Sequence, residues 1–457
     1  MGHRIQYRNS VVGRFAISSC LCCCVVTIAS LCHAQLSAKQ PIVSDLASIR
    51  IEADSLKSEQ LAIGERLVKE YPDSFNVLRI MGYVHSTHGN LQQMAECWER
   101  CRQISPNRPD IYDQLGRHAF STEAFDDAIQ HWEKTLTLDP KFSGVHRRMG
   151  EALIAAGKPA EAAKVLEQAV AIDERDFEAH YQLGESLFQL QQYEQAKAAY
   201  QRAVAISSQY SKAVYGLVKS SARLAQADDV AKYSKQFQSL EQAAIEADQD
   251  FRKNFDDLQK IRSDVAVTFV DSGRIYAADN RTDEALKLWL RAAVIDKQNE
   301  MSRNLAAKLY LTQKKPTEAL HLLQELVAID PENAMYHQQA GMLMATAKHF
   351  SGAEKHFRKL IELEPKRGEG YRLLAKLYLN TRRNRAMAVK LAAQALKIEP
   401  VADSYFVLGW AFAQNNQMEP AEKALRRAIE LAPNNKTYQQ LFESIFRNKK
   451  PTADEAS

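Results

Sequence analysis

Gly82, Gly116, Gly150 and Gly184 stand 34 residues apart, and Gly273, Gly341 and Gly409 keep the same period at every second step. The slots between them hold Ala307 and Ala375, again small residues. Self-similarity at such a spacing marks a stacked array of short supersecondary units, none of which can bury its apolar face alone. No other feature limits the fold as strongly. Without it, a chain of 457 residues would have to divide among several independent cores.

Other positions share the phase. An alanine recurs at 128, 162, 196, 285, 319, 353 and 421. Four residues later comes a large apolar side chain: Trp98, Trp132, Leu166, Tyr200, Trp289, Leu323, Phe357 and Leu425. Pro106, Pro140, Pro331, Pro365 and Pro433 close the unit, and Pro400 does so after one inserted residue. Two antiparallel helices approach closely only where side chains are small, so the Gly of the first helix is expected to face the Ala of the second. The large residue is expected to fill the seam toward the next pair. Proline ends the second helix because it lacks an N–H and clashes with the preceding turn. Gly89-Asn90 and Gly157-Lys158-Pro159 suit the reversal between the helices.

Residues 402–433 read Tyr405-x2-Leu408-Gly409-x2-Phe412, then Ala421-x3-Leu425 and Pro433; residues 109–140 read Tyr112-x2-Leu115-Gly116, then Ala128-x3-Trp132 and Pro140. This pattern resembles the tetratricopeptide repeat family. The resemblance spans roughly residues 42 to 447 and implies an all-α fold, an α-solenoid coiled as a right-handed superhelix of about ten helix pairs. Repeats are expected to start near residues 75, 109, 143, 177, 211, 266, 300, 334, 368 and 402, after a partial repeat within 35–74. The array falls into halves at 75–237 and 266–435. Residues 436–457 form a capping helix, KTYQQLFESIF, and a frayed tail.

The period breaks once. Gly184 and Gly273 are 89 residues apart, 21 more than two repeats. Phe251, Phe255, Leu258, Ile261, Val265 and Phe269 recur at helical spacing, so the insertion, 238–265, is read as a lengthening of two adjacent helices into a projecting hairpin. Its tip is expected near Asp248-Gln249-Asp250, where an aspartate caps the next helix. This acidic arm is either a solvated face or a docking element.

Residues 1–34 differ from the rest. Arg4, Arg8 and Arg14 precede the apolar run Phe15–Leu31, and Cys32-His33-Ala34 offers small residues for cleavage before Gln35. This is the layout of a secretory signal, and it places the body outside the cytoplasm, in a periplasm or secreted. An uncleaved anchor formed by residues 15–31 is the alternative, and only that would tie the protein to a membrane. Five of the 7 cysteines lie in this segment, which leaves Cys97 and Cys101 and no disulfide framework. The net charge is +4, with both signs mixed along the chain, which argues against a nucleic-acid partner.

By the family likeness, partners bind along the exposed faces of the first helices, which line a concave groove. Those slots hold Arg79, Tyr83, Arg117, Arg148, Tyr181, Arg274, Lys308, Arg372, Lys376 and Trp410. Arg274, Lys308, Arg372 and Lys376 lie on successive first helices and suggest a basic stripe for a partner with acidic groups. The expected function is that of an exported scaffold that binds protein, as an extended peptide or a helical segment, in an envelope or secretion-linked complex. The alternative is an accessory subunit of an envelope polysaccharide machine that binds glycan, for which Tyr83, Tyr181 and Trp410 are the available aromatics.

Catalytic signatures are missing: there is no Gly-x-Ser-x-Gly elbow, no glycine-rich phosphate loop and no His-Glu-x-x-His helix. No cofactor, metal or catalytic residue is expected. Cys97 and Cys101, one helical turn apart, are the exception to weigh. With His85 they could hold a metal or act as a redox pair, but Cys101 occupies a slot that holds Ala169, Ala203, Ala292 and Ala428 elsewhere, which favours plain packing.

Overall fold

The computed structural model describes residues 40–254 and 257–446, all in helices and short turns. The segment read as a signal and the C-terminal tail lie outside the described residues. In chain order the helices are α1 (Gln40–Glu70), α2 (Phe75–Thr87), α3 (Leu91–Ile104), α4 (Pro109–Ser121), α5 (Phe125–Leu138), α6 (Val145–Ala155), α7 (Pro159–Ile172), α8 (Phe177–Gln189), α9 (Tyr193–Ile206), α10 (Ser211–Arg223) and α11 (Ala227–Asn254). They continue as α12 (Asp257–Ala278), α13 (Thr282–Ile295), α14 (Glu300–Thr312), α15 (Pro316–Ile329), α16 (Ala334–Thr346), α17 (Phe350–Leu363), α18 (Gly368–Thr381), α19 (Arg385–Ile398), α20 (Ala402–Gln414), α21 (Met418–Leu431) and α22 (Lys436–Phe446). The chain divides into two units, one ending at Ser55, within α1, and one running from Leu56. The second unit carries the repeats as an all-α solenoid: each first helix packs on its own second helix, and in the regular repeats that second helix packs on the first helix of the next repeat.

The reason for the small slot differs from the sequence expectation. A Cβ added to Gly150 would lie 2.5 Å from Leu166, and one added to Gly341 would lie 2.6 Å from Phe357. The first-helix glycine is therefore covered by the large residue of its own repeat, not by the alanine four positions earlier. Ala128, Ala162, Ala196, Ala285, Ala319, Ala353 and Ala421 are nevertheless fully buried, where any larger group would part the helices.

A second slot locks the turn between repeats. Tyr112 donates its hydroxyl to the Pro106 carbonyl at 2.9 Å, and Tyr371 donates to Pro365 at 3.4 Å. His337 Nε2 reaches the Pro331 carbonyl at 3.0 Å, and His180 Nε2 reaches Glu174 at 3.2 Å. Tyrosine and histidine are interchangeable there because both present a ring with a donor at its tip. At the C-terminus, α22 covers the last pair: Tyr438 stacks on Phe406 at 4.4 Å and bonds to Asp403 at 3.3 Å.

The insertion lengthens two helices, α11 to 28 residues and α12 to 22, against 11 to 14 in the other repeats. The tip expected at Asp248–Asp250 instead falls inside α11, whose helix continues to Asn254. Helix α11 lies against α10, and α12 lies against α13 and α2. The last contact joins the first described repeat to the sixth, something a nearest-neighbour stack does not require.

Candidate functional site

The return of the chain onto its own beginning combines apolar packing of Ile275 against Ile80, Met81 and Val84 with a set of polar links. The Gln60 amide donates to Thr268 Oγ1 at 2.8 Å in a buried setting, and Tyr71 donates to Asp279 at 2.6 Å. Arg291 forms a fork to Glu59 with bonds of 2.9 and 2.8 Å, and Arg281 reaches Glu70 at 2.5 Å. The Arg281 guanidinium also lies over the Tyr276 ring, 4.4 Å from its centroid. These partners lie about two hundred residues apart in sequence. Together they clasp α1, from Leu56 onward, against α12 and α13, beside the packing of α2 on α12.

The clasp shapes the expected groove. It sets Arg79 against Asp271 at 3.5 Å and leaves a cleft of about 320 Å³ between α2 and α12, lined by Arg79, Tyr83, Val267 and Asp271 among others. Tyr83 is exposed there, with its ring edge-on to Trp98. Arg274 also bonds Asp271, at 2.8 Å. Arg79, Tyr83 and Arg274, which the sequence places far apart, thus share one neighbourhood.

Exposed ion pairs of this kind each contribute about 0.2–1 kcal/mol. Removing two of them should therefore loosen the closure without unfolding the array. In the variant Arg281→Ala/Arg291→Ala, amide hydrogen exchange is expected to quicken in residues 56–87 and to stay unchanged in α16–α21. Unchanged exchange in both regions would mean that the clasp is held by something other than these arginines.

Further along, Arg117 donates to Asp113 at 2.9 Å, and Arg148 pairs with the other oxygen of the same carboxylate at 2.7 Å. The Trp132 indole N–H also donates to Asp113, at 3.1 Å. Tyr181 is half-buried between the rings of Tyr200 and Tyr210, and burial pushes its phenol up. Lys219 and the Tyr200 hydroxyl converge on Glu185 at 3.0 and 2.6 Å. Trp410 is half-buried beside Phe406.

The basic stripe needs correction. Arg372 is not a groove cation: it is 8% exposed and held by Glu399 at 2.7 Å, by Glu369, by Asp403 at 3.5 Å and by Ser404 at 3.2 Å. Lys376 pairs with Asp403 at 2.8 Å. Arg274 is neutralised by Asp271. Among these four, Lys308 alone is exposed and forms no ion pair among the described residues. The missed partners are Asp271 and Glu369, three residues before Arg274 and Arg372 on the same helices and so open to the i,i+3 reading, and Glu399, which the fold brings from the C-terminal end of α19.

Cys101 is fully buried, its thiol 3.8 Å from the Phe75 carbonyl, and burial raises its pKa to about 12. Burial raises Cys97 as well and lowers His85. A buried neutral thiol is neither a nucleophile nor a ready metal ligand. Among the described residues no three His, Cys, Asp or Glu side chains stand together as a metal site, and no helix is long and apolar enough to cross a membrane.

Two tetratricopeptide repeat family models match the sequence, one over residues 119–185 and 153–219, the other over 402–435. No curated protein matches it. Among solved structures, a MamA RS-1 double mutant is similar at 22% identity, covering 37% of this chain and 96% of that one, with a TM-score of 0.36. YrrB, described as a TPR protein with an unusual peptide-binding site, is 17% identical over 42% of this chain and 95% of its own, with a TM-score of 0.35. MamA from Desulfovibrio magneticus RS-1 is 22% identical over 37% and 93%, with a TM-score of 0.34.

Proposed function

Because the chain belongs to the tetratricopeptide repeat family, we propose that it is an exported, non-enzymatic scaffold that binds a protein partner along the exposed faces of its first helices. Its setting is an envelope or secretion-linked complex. The observation that carries the binding reading is the build of that surface. The same slots recur on successive first helices, and ion pairs to Glu185, Asp271 and Asp403 hold Lys219, Arg274 and Lys376 in place. Preorganised side chains lose little freedom on binding, which is what a recognition surface needs. Export rests on the basic, apolar and small-residue order of residues 1–34.

Photo-crosslinkers placed singly in the full chain test the surface. Probes at Asn76, Lys212 and Gln338, on first helices, are expected to capture a partner in the cell of origin. Probes at Lys164 and Lys355, on second helices, are expected to capture none. Capture from the second helices alone would overturn the groove reading. N-terminal sequencing of the same material is expected to begin at Gln35; a chain that keeps residues 1–34 and stays inside the cell would overturn export.

A further inference from the structure

Only the eighth repeat, α16 with α17, has histidine both in the slot that locks the turn and in the slot nineteen residues later. The second repeat has Tyr112 with His131, and the seventh has Arg303 with Leu322. His337 is 6% exposed. Its Nδ1 lies 3.0 Å from His356 Nδ1, and its Nε2 lies 3.0 Å from the Pro331 carbonyl. A carbonyl only accepts, so His337 Nε2 carries a hydrogen. In the neutral ring the other nitrogen is then bare, and His337 Nδ1 accepts from His356 Nδ1–H. That leaves His356 Nε2 bare as well. One backbone oxygen thus fixes the place of every hydrogen in the neutral pair.

Such a pair has room for one added proton. A proton on His356 Nε2 leaves both hydrogen bonds in place. A second can go only to His337 Nδ1. It turns the acceptor into a donor and sets the N–H groups of two imidazolium rings against each other, so the ring contact must break. The surrounding charges do not offset this. Burial, with His337 and Lys355, already holds the His356 imidazole below its ordinary value. Helix α16 carries no carboxylate. In the turn before it, Glu332 pairs with Lys359 and Asp330 accepts from Asn333. Glu354 on α17 is taken by Arg358 and Tyr378, Glu300 on α14 by Tyr336, and Glu369 on α18 by Arg372.

We propose that His337 and His356 form an acid-sensitive latch in the eighth repeat: intact with no more than one added proton, it parts when the second binds and loosens α16 from α17. The sign follows from counting protons. Above about pH 6.5 both rings are neutral whether the repeat is closed or open, and the latch has no pH dependence. Below that, the open rings each take a proton while the closed pair takes fewer, so acid favours opening. Each proton of difference raises the opening equilibrium by up to about tenfold per pH unit. Stability in a stacked array passes between neighbours, so an opened eighth repeat uncouples α14 and α15 from α18 and α19.

Amide hydrogen exchange of the full chain, corrected for the intrinsic rate, tests this between about pH 7.5 and 5, above the carboxylate range. Protection in α16 and α17 is expected to fall by about tenfold or more below pH 6.5. Two substitutions borrow residues that the array already uses in these slots. His337→Tyr installs the ring that bonds the Pro106 carbonyl from Tyr112, and His356→Leu installs the counterpart of Leu322. The double variant is expected to fold and to lose the acid response of α16 and α17. Undiminished protection in the original protein at pH 5, or an unchanged acid response in the double variant, would overturn the latch. An acid response as large in His337→Tyr alone would assign the effect to burial of His356, and the pair would fall. Histidine-selective NMR of the unsubstituted chain needs no variant. The two rings are expected to titrate in separate, coupled steps; two independent titrations near pH 6.5 would overturn the proposal.

Discussion

Replacing Trp289 with alanine is expected to cost about 3–5 kcal/mol and to split the unfolding of the array into two transitions. Trp289 is 5% exposed, covers Gly273 and donates its indole N–H to the Val270 carbonyl at 3.1 Å. It therefore fixes α13 on α12, the pair that follows the insertion and also receives the clasp from α1 and α2. Removing the indole leaves a cavity at the one place where two seams meet. Stability in a stacked array passes between neighbours, so a weakened pair in mid-array should uncouple the repeats on either side. Differential scanning calorimetry checks this. A single transition at the original temperature would show that the clasp, and not this seam, couples the two sides. Trp289→Phe serves as the comparison: it keeps most of the volume and should stay closer to the original protein.

The second large effect is expected at Asp113. Its side chain is 5% exposed and accepts from Arg117, Arg148 and the Trp132 indole, while the Arg148 side chain is 13% exposed. Asp113→Ala strips a nearly buried guanidinium of its counter-charge and leaves the indole N–H without an acceptor. Breaking such a pair from one side costs about 3–5 kcal/mol. The cause can be told from simple loss of packing by adding Arg148→Met. If the unpaired charge is what hurts, the double variant should regain much of the loss in urea unfolding. If it unfolds as readily as Asp113→Ala alone, the damage lies with Trp132 instead.

Much of the fold is legible because its determinants are local and recur. Of the repeat starts read from the glycine phase, those near residues 75, 109, 177, 211, 300, 334, 368 and 402 fall on the first residue of a helix, the one near 143 falls two residues before α6, and the one near 266 lies inside α12, which begins at Asp257. The capping segment from Lys436 to Phe446 is a helix of those same bounds. Such features are written in windows of about one helical turn: a small residue for close approach, a ring four residues after an alanine, a proline at the stop. The candidate site was harder to read. Arg372 carries the signature of a groove cation and is buried, because Glu399 and Asp403 come from the next helices. Gly82 to Gly409 display the period whether or not any one surface is covered; a lone arginine displays nothing until its neighbours are placed.

By itself, then, the sequence determined the helix pairs, their order and the family, since those follow from contacts within a repeat and between adjacent repeats. Tertiary structure alone decided that Gln60 meets Thr268, that Glu59 meets Arg291 and that Arg79 meets Asp271. The small angle that each helix pair adds to the one before accumulates along the array. That sum brings the beginning back onto the sixth repeat, and no window of sequence contains it.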